Sequence, residues 1–258
     1  MSDVPTLGEP EYERVKEIAA LLEADQTTLG DVWRRRQAGK IPEQIAEEDG
    51  NTVGPAYSYF NLQNALLNGT VSKAPSVTRG VAARIRKWLQ TKPLSDELRH
   101  VLEEQEHALR AVVDDSQAIE AETEEAVAKS KDAEAENIPG IYVYTLPHYV
   151  RYPYDGKTGR TLLKVGHSSV DALYRATSQA RVPSLPEDPW LLRIYPVDAS
   201  SEAEQRMHAF LRAADHDGVR GGRIGAEWFL TSLKFLDYVA KSLGLEVRVI
   251  NDFAIDDE

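Results

Sequence analysis

Ile141-Tyr142-Val143-Tyr144-Thr145-Leu146 and, after a polar interval, Thr161-Leu162-Leu163-Lys164-Val165 are where helical spacing gives way to strand. Both runs are rich in β-branched and aromatic residues, and Leu191 to Val197 is a third of the same kind. Asp155-Gly156-Lys157 and Thr158-Gly159-Arg160, between the first two, are hairpin-turn material. The spacing of apolar residues predicts helices at about Val170 to Ala180, Ser201 to Ala214 and Leu230 to Leu243. Leu245, Val247 and Val249 alternate like a last short strand. The expected class is α+β, with a central, mostly antiparallel sheet flanked by helices over residues 138–250 and an acidic tail at 251–258.

Working outward, Asn137-Ile138-Pro139-Gly140 marks a boundary, and before it the composition changes. From Leu94 to Glu136 the chain is mostly Glu, Ala, Asp and Lys and has no aromatic residue. Leu98, Val101, Gln105, Ala108, Val112, Asp115, Ile119, Glu122 and Ala126 follow a three-four spacing that is only partly apolar. That pattern predicts a long helical stalk or linker at 94–137, with a weak coiled-coil seam over 94–126 through which a homodimer could form, fading into a flexible linker after about Ala126.

Residues 1–93 read as a helical domain. Tyr12, Val15, Ile18, Ala19 and Leu22 share one face, and Thr28 opens a helix holding Leu29, Val32 and Trp33. Pro42 opens a short helix through Ile45 and Ala46, Asp49-Gly50-Asn51 turns the chain, and a further helix runs from about Thr52 or Gly54 to Leu67. Another, at about Thr78 to Leu89, holds Val81, Ile85, Trp88 and Leu89 in register. The unit around Gly50 resembles a helix-turn-helix: Ala46 is small where two helices cross, Gly50 suits a positive-φ turn, and Ala56 and Tyr59 face inward. A small helical interaction domain supplies similar patterns.

The formal charge of −12 is unevenly placed. Residues 1–93 carry 12 basic and 12 acidic side chains, residues 94–137 carry 4 and 14, and residues 138–258 carry 14 and 16. Within the first third, Thr27 to Pro93 holds 10 basic against 5 acidic residues. Binding fields follow local charge within about a Debye length, so the whole-chain value does not exclude DNA. Arg34, Arg35, Arg36 and Lys40, with Arg79, Arg84, Arg86 and Lys87, are the candidate phosphate contacts; a solvated helix face is the alternative for any one of them. Three consecutive Arg on a helix point in three directions. The chain has no cysteine, which excludes disulfides, thiolate metal sites and cysteine nucleophiles. No apolar stretch approaches the ~18 residues of a membrane span, and Met1 to Glu17 lacks the apolar core of a secretory signal. A cytoplasmic protein is the expectation.

Gly140-Ile141-Tyr142, Lys164-Val165-Gly166, Arg175, Glu204 with His208, and Glu227-Trp228-Phe229 occur in an order that resembles a GIY-YIG nuclease domain, in the phage-type branch whose second tripeptide begins with Lys. The resemblance covers about Pro139 to Leu243, and the chain departs from it in a longer connection between the first two strands. It implies hydrolysis of a phosphodiester with one divalent ion, Mg²⁺ or Mn²⁺.

In that scheme Tyr142 assists deprotonation of the attacking water. A free tyrosine has a pKa of about 10, so nearby positive charge is needed, and Lys164 is the candidate source. Tyr144, two residues on, shares its face. A half-buried strand tyrosine is the alternative for both. Arg175 would bind the scissile phosphate, or else pair with Asp171 on a helix surface. Glu204 is the candidate metal ligand. On a helical wheel it borders the apolar face of Ala203, Met207, Phe210, Leu211 and Ala214, whereas Glu202 faces water. One carboxylate completed by phosphate and water suits Mg²⁺. His208, one turn on, and His167, beside Gly166, are either site residues or ordinary structural histidines. Glu227 is a further candidate, while Trp228 and Phe229 are expected to anchor the last helix. Arg181, and Arg223 in the Arg220-Gly221-Gly222-Arg223 loop, are candidate DNA contacts.

The expectation is therefore a metal-dependent DNA endonuclease delivered by an N-terminal DNA-binding module. The alternative is a DNA-binding regulatory or phage-associated protein whose nuclease domain does not cut.

Overall fold

The computed structural model describes residues 9–50, 53–70, 74–154, 160–168, 187–216 and 227–253. It is a mixed helix-and-sheet protein that divides into two compact units, Met1–Ile119 and Glu120–Glu258. No described helix is long and apolar enough to cross a membrane.

The first unit is helical: α1 (Glu9–Ala24), α2 (Thr28–Gln37), α3 (Pro42–Glu48), α4 (Val53–Asn68), α5 (Pro75–Thr91) and α6 (Asp96–Val113). Ile18, Leu22, Leu29, Trp33, Leu66, Ile85 and Trp88 form its core with Leu98, Leu102 and Leu109 of α6. Gly50 closes α3 at φ +59°, a conformation that costs glycine little, and Val32, Ile45 and Ala56 pack together beside it. Pro55 falls in the first turn of α4, where a missing N–H removes no helical hydrogen bond.

The long helix expected over Leu98 to Ala126 is instead two helices. α6 ends at Val113, and α7 (Ser116–Ala135) begins after Asp114-Asp115 and continues through the stretch after Ala126 expected as a flexible linker, where Ser130, Ala133 and Glu134 are buried. Asp115 Oδ1 accepts from the Gln117 N–H at 2.9 Å, a local bond that substitutes for the continuing helical one. The buried stripe of α6 is Leu98, Leu102, Gln105, Glu106 and Leu109, not the seam drawn through Val101, Ala108 and Val112. Its apolar members are enclosed by their own unit.

The second unit holds one antiparallel sheet in the order β4-β2-β1-β3-β5. Its strands are β1 (Gly140–Thr145), β2 (Thr161–Ser168), β3 (Trp190–Pro196), β4 (Trp228–Thr231) and β5 (Arg248–Val249). A short helix, α8 (Pro147–Arg151), follows β1, while α9 (Ser200–Ala213) and α10 (Leu233–Ser242) follow β3 and β4. Trp228 and Phe229, expected to anchor the last helix, lie in β4, which also takes Leu230 and Thr231 from the helix expected at Leu230 to Leu243. Trp-Phe-Leu-Thr favours strand, and Ser232 caps α10 only afterwards by accepting from the Phe235 N–H. Gly140 is needed where β1 meets β3, because a Cβ there would lie 2.6 Å from the Tyr195 carbonyl oxygen.

Strand alternation gives the sheet two different faces. Ile141 and Val143 pair in register with His167 and Val165, and all four share a face with Leu163, Tyr195 and Phe229. Met207 and Leu211 of α9 and Leu236 and Val239 of α10 pack within that cluster. Tyr142 and Tyr144 pair with Gly166 and Lys164 and point to the other face. There Ala133 of α7 joins Tyr142, Leu191 and Ile194.

Arg193 of β3 is 2% exposed. It donates to Asp237 of α10 at 3.3 Å, to Asp252 at 2.7 Å and to the carbonyls of Leu192 and Asn251. Tyr195 donates to the other oxygen of Asp237 at 2.8 Å. Asp237→Ala strands much of a buried guanidinium and is expected to cost about 3–5 kcal/mol of unfolding free energy. Urea denaturation measures it, and a loss under about 1 kcal/mol would show that Asp252 alone balances Arg193.

Candidate functional site

The sequence-derived site residues divide between the two faces of the sheet. On the helix-packed face, Glu204 projects from α9 and is 8% exposed, while Glu202 is exposed, as the helical wheel requires. The Glu204 carboxylate meets His167 Nδ1 at the end of β2. His208, one turn on, lies with Nε2 3.8 Å from the second carboxylate oxygen, beyond a hydrogen bond. That nitrogen donates instead to the Val165 carbonyl at 2.9 Å, and the ring lies 4.7 Å from Phe229. His208 thus ties α9 to β2, and Glu204 stands between two imidazoles with one oxygen less committed than the other.

On the opposite face are Tyr142, Tyr144, Lys164 and Glu227. Tyr142 is 3% exposed, and its hydroxyl donates to the Ile138 carbonyl at 2.5 Å. Burial, and then the Glu134 carboxylate, push its pKa up to about 12. Tyr144 stacks on it at 6.3 Å and donates to Glu134 Oε1 at 3.0 Å; burial and that carboxylate push it up further. Lys164, the expected cation for Tyr142, faces Tyr144 in the register and pairs with Glu227 at 3.3 Å. Glu227 also lies over Gly166, whose absent Cβ would sit 3.7 Å from the carboxylate. Arg175, Arg181 and Arg223, with the helix expected at Val170 to Ala180, lie outside the described residues.

Three residues without a local sequence signal hold α7 on the tyrosine face. Ser130 Oγ accepts from the Leu191 N–H at 2.9 Å. Asn251 donates to the carbonyls of Ala126 and Leu191 and to Ser130. Glu134 is buried beside Tyr144, and desolvation raises its pKa. Each partnership joins residues distant in sequence except Tyr144 with Glu134, and only a β-strand-to-helix pairing brings those two together.

In the N-terminal unit, most of the expected phosphate contacts are engaged within the fold. Arg34 donates to the carbonyls of Glu23 and Asp25, at 3.1 and 2.9 Å. Arg35 pairs with Asp31 and with Asp49, the latter at 2.7 Å. Arg36 donates to Gln63 and Asn64 and lies 4.7 Å above the Phe60 ring. Lys40 pairs with Glu48. Arg84 is buried on α5, and Lys87 of the same helix is exposed. α4, the second helix of the unit around Gly50, carries no charged residue, and its exposed side presents Val53, Tyr57 and Asn61.

A divalent ion at Glu204 is compatible with this donor set. Among the described residues no group of three His, Asp or Glu side chains converges as a metal cage. A single carboxylate completed by water and phosphate oxygens is how Mg²⁺ is commonly held, and Mn²⁺ accepts the same oxygens. No family model matches the chain, and no curated protein or solved structure compared with it is significantly similar.

Ionised Glu134 is disfavoured in the fold, so its contribution is complete below the ordinary carboxylate value of 4.5 and is lost as pH rises through the elevated folded pKa. Glu134→Gln keeps an acceptor for Tyr144 and removes that dependence. Its stability relative to the parent protein is expected to improve as pH climbs from 4 to 8, followed by thermal unfolding at each pH. A difference that stays flat with pH would show that Glu134 is solvated.

Proposed function

We propose that the C-terminal unit is a metal-dependent endonuclease of the GIY-YIG kind that hydrolyses phosphodiester bonds in DNA. The N-terminal unit is its helix-turn-helix-like DNA-binding module. A cytoplasmic setting suits a chain without cysteine. The observation that carries this reading is the buried Glu204 carboxylate, held between His167 and His208 at the end of β2. The chain passes directly from there into the segment bearing Arg175.

Glu204 would hold the divalent ion, which when bound lowers the pKa of coordinated water and offsets phosphate charge. His167 orients the carboxylate through Nδ1, and His208 fixes the distance between α9 and β2 through the Val165 carbonyl. Arg175 is the proposed phosphate clamp, since its planar fork suits two phosphate oxygens. In the described conformation Tyr142 is a hydrogen-bond donor with an elevated pKa, the opposite of what a base near neutrality requires. For Tyr142 or Tyr144 to take part, α7 must leave their face of the sheet.

That last observation favours a second reading, a DNA-binding protein whose nuclease domain does not cut. Nicking of supercoiled plasmid in Mg²⁺ or Mn²⁺ separates the two. The endonuclease reading expects metal-dependent nicking that falls by about a hundredfold or more in Glu204→Ala. DNA retardation that persists in EDTA, with no nicking in either metal, would select the second. Full nicking by Glu204→Ala would remove Glu204 from the chemistry.

A further inference from the structure

The connection between β1 and β2 is longer than the family resemblance accommodates, and the chemistry described above makes no use of it. Its described part, Pro147–Tyr154, is well anchored. Val150 and Pro147 are buried, the Tyr149 carbonyl accepts from Thr161 Oγ1 at 2.7 Å, and the His148 N–H donates to Glu187 at 3.1 Å. Yet from this base Tyr152 is 65% exposed and Tyr154 59% exposed.

The rings form a connected row. Tyr152 lies 5.2 Å from His148, His148 lies 5.7 Å from Tyr149, and Tyr149 meets Trp228 edge-on at 6.3 Å. Trp228 pairs across the sheet with Lys164, on the face that also carries Tyr144. The stretch Leu146 to Ser168 contains Arg151, Lys157, Arg160 and Lys164 against Asp155 alone, in a chain whose net charge is −12. Glu187 offsets Arg151 and Glu227 offsets Lys164, at 3.8 and 3.3 Å.

We propose that Pro147–Tyr154, the part of the β1–β2 connection that follows β1, is a stacking platform for unpaired nucleobases, with Tyr152 and Tyr154 receiving bases and the row through His148, Tyr149 and Trp228 leading the strand along the sheet. It rests on the reading of this unit as a nucleic-acid hydrolase and names the substrate class, single-stranded or locally unpaired nucleic acid. Two features of the described residues support it: exposed aromatic faces on an anchored base, and a sequence excess of basic residues in this stretch, of which Arg151 and Lys164 are shared with Glu187 and Glu227. Aromatic faces accept any base, positive charge favours a phosphate backbone, and an anchored base lowers the ordering cost of binding. A fully paired duplex presents no base faces to such a row except at its ends.

The test is fluorescence anisotropy of the full chain in EDTA, with labelled oligothymidine, oligouridine and a duplex of equal length. Tyr152→Ala/Tyr154→Ala is expected to weaken single-strand binding by about ten- to a hundredfold and to leave duplex binding unchanged. Tyr152→Phe/Tyr154→Phe, which keeps both rings, is expected to bind like the parent. The two single-stranded probes distinguish DNA from RNA as the occupant. Single-strand binding unaffected by loss of the rings would overturn the proposal. So would a parent protein that nicks plasmid but binds neither oligonucleotide, an outcome that leaves the endonuclease reading standing. Failure to bind or cut any nucleic acid would overturn both.

Discussion

β1 is hydrogen-bonded on both sides, to β2 and to β3, and the rest of the C-terminal unit is arranged around that fact. A strand in this position sends alternate side chains into two separate environments and leaves neither to water. Ile141 and Val143 enter the cluster shared with α9 and α10, while Tyr142 and Tyr144 enter the one beneath α7. Register then dictates which β2 residues share each environment. His167 falls beside Glu204, and Lys164 falls beside Tyr144. A register shift of one residue would exchange the two sets.

The two environments have different electrostatic character. Around Glu204 the partners are imidazoles, and one carboxylate oxygen is less committed than the other. Around the tyrosines they are carboxylates, from Glu134 and Glu136, countered by Arg248, which pairs with Glu136. Acidic neighbours and burial hold the phenols protonated, so that the hydroxyls act as tethers to Ile138 and Glu134. The same groups would behave differently with α7 displaced, because water would return to the phenols and Glu134 would no longer accept from Tyr144.

The N-terminal unit shows how a local charge excess is spent within a fold. Thr27 to Pro93 is net basic in sequence, but Arg35 and Lys40 are neutralised by Asp31, Asp49 and Glu48, and Arg34 caps the end of α1. The triplet Arg34-Arg35-Arg36 does point in three directions, each toward a different internal partner. Asp31 is a local partner one helical turn from Arg35, whereas only folding placed Glu48 and Asp49, at the end of α3, against Lys40 and Arg35.

What the sequence alone determined was local. The helical wheel put Glu204 at the border of an apolar face, β-rich runs marked three of the strands, and Gly50 marked a turn. Those patterns are legible because periodicity and backbone preference are properties of neighbouring residues. The break at Asp114-Asp115 is not legible in the sequence, because a continuous polar pattern conceals a capping carboxylate. β4 was missed because four residues, Trp228–Thr231, are too few to show alternation. Tertiary structure alone decided which helix covers which face, and so decided that Tyr142 and Glu204 lie on opposite sides of one sheet. It also brought Glu204 to His167, 37 residues away. Such pairings depend on strand order and on competition for buried surface, which no stretch of neighbouring residues encodes.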